Sequence, residues 1–315
     1  MNKITIVGAG SVGSTIAYKL ASDMIASEIV LVDVKSEKAL GEAMDIRQGM
    51  AFIGKVNIYA GSYADAEGSD IVIITSGVAR KEGQSRLDLA KVNVGIAMDI
   101  MPRITAVAPD AKYIIVSNPV DVITYAFTKF SGLPARQIIG SGTILDTTRL
   151  RERISEYFSI DNRNVHAMVM GEHGDSSFVP WSLATIGCVP IEHYIGSVVG
   201  AESMPIPLDY AEVEDYMKRS GAKVIARKGA TFYAVSLGVC HICKAILNDA
   251  HAIMTVSTIH DGEYGLNDVC LSTPVIIGKN GIEGKIVCRL TDAEQSKLEK
   301  SAAVLRDTIE FVFGN

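Results

Sequence analysis

Short apolar runs alternate with segments of helical periodicity over roughly the first 140 residues of the chain. The runs are rich in β-branched residues and are bounded by turn-forming residues, which is typical of buried strands. They are Lys3–Val7, Glu28–Val32, Val56–Ala60, Asp70–Ile74, Lys112–Val116 and Gln137–Ile139. Strands of this kind, separated by helices, form parallel sheets that are covered on both faces. The pattern therefore predicts an α/β domain over residues 1–141 with a doubly wound parallel sheet.

The pattern changes in the second half of the chain, where it predicts helices and antiparallel strands. The expected elements are a helix from Asp146 to about Phe158, an extended segment over Asn164–Met170, a long helical stretch from about Val213 to Leu247, hairpin strands around Met254–His260 and Asp268–Leu271, and a closing helix with Leu298, Ala302, Leu305, Ile309 and Val312 on one face. The sequence contains no repeat, low-complexity tract or linker. We therefore expect an α+β domain over residues 142–315, joined tightly to the first domain.

A glycine-rich turn, Gly8-Ala9-Gly10-Ser11-Val12-Gly13, follows the first strand and opens a helix. In this context the spacing predicts a dinucleotide site of the Rossmann type. Gly8 would permit the tight turn, Gly10 would let a pyrophosphate approach the backbone, and Gly13 would let the helix pack closely on the strand. The helix N-terminus would present its N–H groups to the phosphates. A glycine turn in a nucleotide-free α/β domain is the alternative.

An acidic residue, Asp33, ends the second strand about twenty residues after the last glycine of the turn. At that position a carboxylate can accept hydrogen bonds from the ribose hydroxyls and would repel the 2′-phosphate of NADP. Lys35 could soften that repulsion, but the acid favours NAD. The carboxyl ends of the later strands carry Gly77 and Asn118, and the ligand is expected beyond this edge of the sheet.

Composition and charge exclude several classes of function. The chain has 315 residues, of which 48% are hydrophobic, and a net charge of −6 without a basic run, which argues against nucleic-acid binding. No signal peptide and no apolar stretch of about 18–20 residues is found, so no membrane partner is expected. Five cysteines without framework spacing fit a reducing cytoplasm. Cys240-His241-Ile242-Cys243 is interpreted as part of a helix rather than a zinc half-site, and no metal is predicted.

A histidine segment in the second half, Gly171-Glu172-His173-Gly174-Asp175-Ser176, carries the candidate chemistry. Removing a hydride from an alcohol carbon requires a base for the hydroxyl proton, and imidazole titrates near neutrality. The glycine turn and this segment together predict an enzyme in which the first half binds NAD and His173 transfers the proton. Seen singly, His173 could equally be an ordinary loop histidine.

The chain resembles the L-lactate dehydrogenases of the bacterial type, within the superfamily that they share with the malate dehydrogenases. The segments that carry the resemblance are Gly8–Gly13, Glu82–Leu87, Ser117–Asp121, Gly140–Arg149, Gly171–Ser177 and Lys228–Thr231. The resemblance extends over essentially the whole chain. It implies an NAD-dependent L-2-hydroxy acid dehydrogenase of glycolysis and fermentation, in which (S)-lactate and pyruvate are interconverted.

The resemblance also implies a role for each candidate residue. His173 would accept or donate the proton, Asp146 would fix the tautomer of its ring, and Arg149 would bind the substrate carboxylate through two parallel hydrogen bonds. Arg86 would polarise the substrate carbonyl. The other implied substrate contacts are Asn118, which would hold the carbonyl oxygen or the nicotinamide side, and Thr231, near the methyl group. Without the resemblance, Asp146 and Arg149 could be a surface ion pair, and Arg86 a solvated charge.

The resemblance agrees with the glycines and the acid predicted from spacing, and it implies further sites. The implied cofactor residues are Gly8, Gly10, Ser11, Val12, Gly13, Asp33, Gly77, Val78, Val116 and Asn118. A homotetramer is expected, with the dimer as its minimal unit. Arg151 and His166 match the positions at which bacterial lactate dehydrogenases bind fructose 1,6-bisphosphate across a subunit interface, so an allosteric enzyme is expected as well.

One position departs from the lactate pattern. The segment from Gly77 to Leu89 is interpreted as a lid, and the residue six places before Arg86 faces the side chain of the substrate in this family. Lactate dehydrogenases have glutamine there and malate dehydrogenases arginine; this chain has Arg80. Because oxaloacetate has a second carboxylate that could pair with Arg80, malate dehydrogenase stays open as the alternative. A non-catalytic NAD-binding sensor or structural protein is a more remote one.

Overall fold

A computed structural model describes residues 2–78, 86–199 and 208–314 and, at Arg86, the backbone alone. The strands are β1 (Lys3–Val7), β2 (Glu28–Val32), β3 (Asn57–Ala60), β4 (Ile71–Ile74), β5 (Lys112–Ile115), β6 (Ile138–Gly140), β7 (Val165–His166), β8 (Thr185–Ile186), β9 (Val189–Pro190), β10 (Ala252–Asp261), β11 (Asn267–Gly278) and β12 (Gly281–Lys285). The helices are α1 (Ser11–Ser22), α2 (Ser36–Gly49), α3 (Arg86–Val107), α4 (Val120–Phe130), α5 (Ile144–Phe158), α6 (Ile191–Ser197), α7 (Tyr210–Lys228), α8 (Tyr233–Leu247) and α9 (Asp292–Phe313).

The first six strands form a parallel sheet in the order β3-β2-β1-β4-β5-β6. This is the order of a double mononucleotide-binding unit, so the predicted doubly wound α/β class is confirmed. Strands β1 and β4 are almost completely buried, because helices cover both faces of the sheet. The order reverses direction at β1, which places the carboxyl ends of β1 and β4 side by side at the edge where ligands bind.

The hairpin of the second half joins this sheet instead of forming a separate one. β10 pairs antiparallel with β6, with Ser257 opposite Gly140, and β11 and β12 follow in antiparallel order, giving nine connected strands. A side chain at Gly140 would collide with Thr124 Oγ1 and approach Ser257 Cβ to 2.7 Å, so the close pairing depends on glycine here. The short strands β7, β8 and β9 form a second, antiparallel sheet.

Three predicted elements differ in extent. The long helical stretch is two helices, because α7 ends at Lys228 and is followed by Gly229, whose φ of +83° is unfavourable for other residues. The extended segment before the histidine is a strand only at Val165–His166, with one further bridge from Met170 to Phe178. The second hairpin strand continues from Asn267 to Gly278, past its predicted end. Within the described ranges, no helix combines the length and the hydropathy needed to cross a membrane.

Candidate active site

The glycine-rich turn lies between β1 and α1. Gly8 has a φ of +111°, and its N–H donates to the carbonyl of Val32 at 2.7 Å. A Cβ at Gly13 would collide with the Gly8 carbonyl oxygen and lie 2.9 Å from Thr75 Oγ1, so helix and strand are packed too closely for a side chain. At Gly10, by contrast, a Cβ would have no neighbour within 4 Å. The space above Gly10 is therefore open to a ligand.

The N-terminus of α1 fits a phosphate group. Gly10 is its N-cap, no side chain caps it and no acid stands in its first turn, which begins with Ser11 and Val12. Unpaired N–H groups at a helix start attract anions. The open cradle at Gly10 and this helix start together fit the pyrophosphate of a dinucleotide.

Asp33 lies beside the glycine turn, immediately after β2. Its Oδ2 accepts the Ala9 N–H at 2.6 Å, and its Oδ1 accepts the Lys35 N–H at 2.8 Å. These two bonds hold the carboxylate next to the turn, where the sequence predicts the ribose contact. Lys35 contacts Asp33 through its backbone N–H, and among the described residues its side chain makes no ion pair with Asp33.

The carboxyl ends of β4 and β5 are joined by a buried side chain that the sequence did not single out. Asn93, on α3, accepts the Val78 N–H at 2.8 Å and donates to the carbonyl oxygens of Val78 at 3.1 Å and Asn118 at 2.7 Å. Gly77 packs against the same amide. Val116 is buried at the end of β5, whereas Asn118 is exposed and its side chain has no hydrogen bond within the described part of the chain.

The candidate catalytic residues meet where α5 faces the histidine segment. Asp146, in the first turn of α5, lies 2.6 Å from His173 Nδ1 through Oδ2 and 3.0 Å from Arg149 Nη1 through Oδ1. The side chains of Asp146 and Arg149 are only 9% and 15% exposed, so this is no surface ion pair. His173 is 26% exposed, and its Nε2 has no hydrogen-bond partner among the described residues. That nitrogen is free to exchange a proton with a substrate.

The electrostatics of this triad favour a charged histidine. Burial of the ring, the largest single influence, lowers the pKa of His173. The charge of Asp146 and its hydrogen bond, aided by the charge of Asp121, outweigh burial and raise the pKa to about 9. For Asp146, burial acts in the opposite direction and raises the pKa, but the charges of His173 and Arg149 outweigh burial and leave the pKa below its ordinary value. The pair is therefore held as imidazolium and carboxylate near neutral pH.

Two residues that support His173 were missed by sequence reasoning. Asp121, in the first turn of α4 and 2% exposed, accepts the His173 N–H at 2.8 Å through Oδ2. Burial raises its pKa to about 6 against the lowering effect of its hydrogen bonds. Ser301, on α9 and fully buried, accepts the Glu172 N–H at 2.7 Å. Each is a single polar residue in a helical segment, and the sequence alone does not distinguish a buried contact from an exposed face.

The remaining predicted site residues are the lid, Thr231 and the allosteric pair, and part of the lid is not among the described residues. Arg80 and most of the predicted lid fall outside the described residues, as does the side chain of Arg86, whose backbone begins α3. Thr231 is half-buried between α7 and α8. Of the predicted allosteric pair, Arg151 Nε donates to the Ala167 carbonyl at 2.8 Å, and His166 is exposed on β7.

The cysteine pair of α8 and one acidic group are the described residues whose types could suggest a metal site. Cys240 and Cys243 are buried on α8, where burial raises the pKa of both thiols, so the helix interpretation of this segment is confirmed. In the described ranges, one group could bring three ligand atoms within 4.8 Å of one another: Asp249, His251 and Glu283. His251 already pairs with Glu283 at 3.0 Å, and Lys279 approaches Asp249 to 3.5 Å.

Comparison with known families agrees with this geometry. Residues 2–140 match the NAD binding domain of the lactate/malate dehydrogenases, and residues 143–314 match their α/β C-terminal domain. The chain therefore belongs to the lactate/malate dehydrogenase family, and NAD is its cofactor.

Individual relatives narrow the comparison to one branch of the family. The chain is 44% identical over 310 residues to an L-lactate dehydrogenase of Acetivibrio thermocellus, covering 98% of this chain and 97% of the relative. It is 44% identical over 311 residues to L-lactate dehydrogenase 1 of Clostridium acetobutylicum, covering 99% and 98%. A crystal structure of a lactate dehydrogenase from a Medee basin deep-sea metagenome library superposes with a TM-score of 0.94 at 38% identity, covering 99% and 98%. These relatives do not favour the malate alternative.

Proposed function

We propose that this chain is an NAD-dependent L-lactate dehydrogenase that interconverts (S)-lactate and pyruvate. The observation that carries the proposal is the triad of His173, Asp146 and Arg149, in a chain whose first half also holds a glycine turn with an open cradle. It combines a proton donor, a group that orients the donor and a cation for a carboxylate, which are the three functions that a 2-oxo acid requires.

Each of these residues is proposed to act at one step of pyruvate reduction. Arg149 would bind the substrate carboxylate, exchanging part of its contact with Asp146 for the substrate. His173, charged at neutral pH, would give its Nε2 proton to the carbonyl oxygen as C2 receives a hydride, and neutral His173 would then regain a proton from solvent. Bound NADH supplies that hydride. Arg86 and Asn118 would stabilise the negative charge that develops on the oxygen.

Substitution of His173 tests the assignment. His173→Ala should lower kcat for pyruvate by about 10²–10⁴, since general acid catalysis contributes on that order, while NADH still binds. His193→Ala, an exposed histidine on α6, is the matched control and should keep full turnover. Turnover of pyruvate by the His173→Ala variant at the natural rate would refute the proposal. The proposal would also be refuted if the natural chain bound NADH but did not oxidise it when any 2-oxo acid was added.

Substrate choice depends on Arg80. We expect the natural chain to prefer pyruvate and Arg80→Gln to lose turnover of oxaloacetate, because the substitution removes the partner for a second carboxylate. The measurement is kcat/KM for both substrates in both chains. A natural preference for oxaloacetate of about a hundredfold, which corresponds to about 2.7 kcal/mol, would make the enzyme a malate dehydrogenase. An unchanged ratio in the variant would show that Arg80 does not face the substrate.

We further propose a homotetramer of the cytoplasm, activated by fructose 1,6-bisphosphate at Arg151 and His166. The bond from Arg151 to Ala167 fixes the guanidinium beside β7, where His166 is exposed, and symmetry would bring such cationic pairs together around two phosphates. Light scattering and activity with and without the activator test this, with the Arg151→Gln/His166→Gln variant as comparison. An active monomer would contradict the assembly, and an unresponsive natural chain would contradict the activation.

A further inference from the structure

Asn93 uses its side-chain amide to join two loops, one carrying Val78, an expected cofactor residue, and the other carrying Asn118, an expected substrate and cofactor residue. It lies on α3 and is 2% exposed. Oδ1 accepts the Val78 N–H, and Nδ2 donates to the carbonyl oxygens of Val78 and Asn118. The side chain therefore accepts one hydrogen bond and donates two. Only a primary amide offers one acceptor and two donors in this arrangement, so few other side chains could make the same bonds.

The bonded groups lie beyond the ends of neighbouring parallel strands. β4 ends at Ile74 and β5 at Ile115, so Val78 and Asn118 have left the strand pairing that would otherwise fix their peptides. Asn93 supplies that restraint from a helix. The exposed side chain of Asn118 has no hydrogen bond of its own in the described part of the chain, so its direction depends on how its backbone is held.

We propose that Asn93 is a positioning residue for the nicotinamide end of the site: it fixes the peptides of Val78 and Asn118 and thereby orients the Asn118 side chain. This inference rests on the proposed function, in which Asn118 stabilises the charge on the substrate oxygen, and on the contact with the nicotinamide side that the family resemblance implies for Asn118. Because Asn93 is buried and bonded to the two loops, we expect it to act on the substrate through them rather than by direct contact.

The test compares two substitutions with a matched control on the same helix. Asn93→Leu keeps the approximate volume and removes all three hydrogen bonds. Asn93→Asp keeps an acceptor for the Val78 N–H but turns a carboxylate toward two carbonyl oxygens. The control is Thr105→Val, because Thr105 is also buried on α3 and its Oγ1 donates to the Met101 carbonyl at 2.8 Å, a bond that stays within the helix.

The readouts are the NADH Kd from fluorescence, kcat and KM for pyruvate, and the melting temperature. We expect both Asn93 variants to raise the NADH Kd about tenfold and to lower kcat about a hundredfold, more than KM rises, since small misplacements of orienting groups cost on that order. Asn93→Leu and Thr105→Val should both lower the melting temperature, but Thr105→Val should leave the NADH Kd and kcat unchanged.

A purely structural role gives a different pattern. If Asn93→Leu melts like Thr105→Val and keeps the NADH Kd and kcat of the natural chain, the proposal is overturned. If Asn93→Leu does not fold, Asn93→Asp decides by the same criteria. A natural chain that fails to reduce pyruvate would refute the proposed function instead, and the NADH Kd would still decide the role of Asn93, because cofactor binding does not depend on which 2-oxo acid is used.

Discussion

Replacing Asp146 by asparagine removes the charge that most strongly raises the pKa of His173. In the natural chain that charge, 2.6 Å from Nδ1, overcomes burial and raises the pKa to about 9. Without it, burial remains as the largest influence and lowers the pKa, opposed by Asp121 alone. The His173 pKa should therefore fall to its ordinary value of about 6.5 or below.

The size of the effect follows from the two pKa values. At about pH 8, a group with a pKa of about 9 is roughly 90% protonated, and one with a pKa of about 6.5 is roughly 3% protonated. At about pH 6 the two differ little. The loss of kcat/KM for pyruvate in Asp146→Asn should therefore be about 20-fold greater at about pH 8 than at about pH 6. Any loss from a wrong ring tautomer is common to both pH values and cancels in this ratio.

Two measurements check this prediction. Pyruvate reduction is followed across pH in both chains through the decay of NADH absorbance, and the His173 ring is titrated by NMR. His260 provides an internal control, because burial lowers its pKa to about 4 and Asp146 is not among the groups that affect it. A His173 pKa that stays near 9 in Asp146→Asn, or a loss of activity that is equal at the two pH values, would refute the assigned cause.

Glycine and carboxylate substitutions test the rest of the site. Gly13→Ala should lower the melting temperature because its Cβ meets backbone, whereas Gly10→Ala should keep it and weaken NADH binding; equal melting temperatures would contradict the packing argument. In Asp121→Asn the side-chain oxygen can still accept the His173 N–H, but the carboxyl, whose pKa burial raises to about 6, is gone. Because that pKa is above its value in the unfolded chain, ionisation of Asp121 lowers the free energy of unfolding as pH rises from about 4 through 6. Near neutral pH the free energy of unfolding should therefore rise by on the order of 3 kcal/mol, and a less stable variant in denaturant unfolding would oppose this. Asp33→Asn should lower the ratio of kcat/KM for NAD over NADP about tenfold, and an unchanged ratio would mean that another residue sets the preference.

The sequence predicted those parts of the site that depend on local pattern. The glycine turn, Asp33 and the six parallel strands follow from spacing and periodicity within short segments, and the structure places them side by side. The pairing of β10 with β6 could not be predicted, because it joins Gly140 to Ser257 across a long sequence separation and no residue type specifies such a partner.

The supporting residues were missed for a related reason. Asn93 and Asp121 stand in apolar helical segments, where one polar residue is compatible with an exposed face as well as with a buried contact. Their partners are 15 to 25 and 52 residues away, so only the fold shows which description holds. Asn93 is buried and uses its whole amide, whereas Asp121 is buried with Oδ2 bonded to the His173 N–H and Oδ1 unpaired, and these features identify both as functional candidates.

The antiparallel pairing of β6 with β10 has a consequence for protein engineering. One apolar cluster includes Ile16 of the first half and Val239, Cys240 and Val256 of the second, and the main sheet runs through both halves without interruption. A fragment ending near residue 141 would expose the edge of β6 and the face of α1 that α8 covers, and exposed edges of this kind promote aggregation. Chimeras that combine the cofactor half of one relative with the catalytic half of another should therefore exchange α8 and β10 together with the first half, so that the inherited surfaces still match.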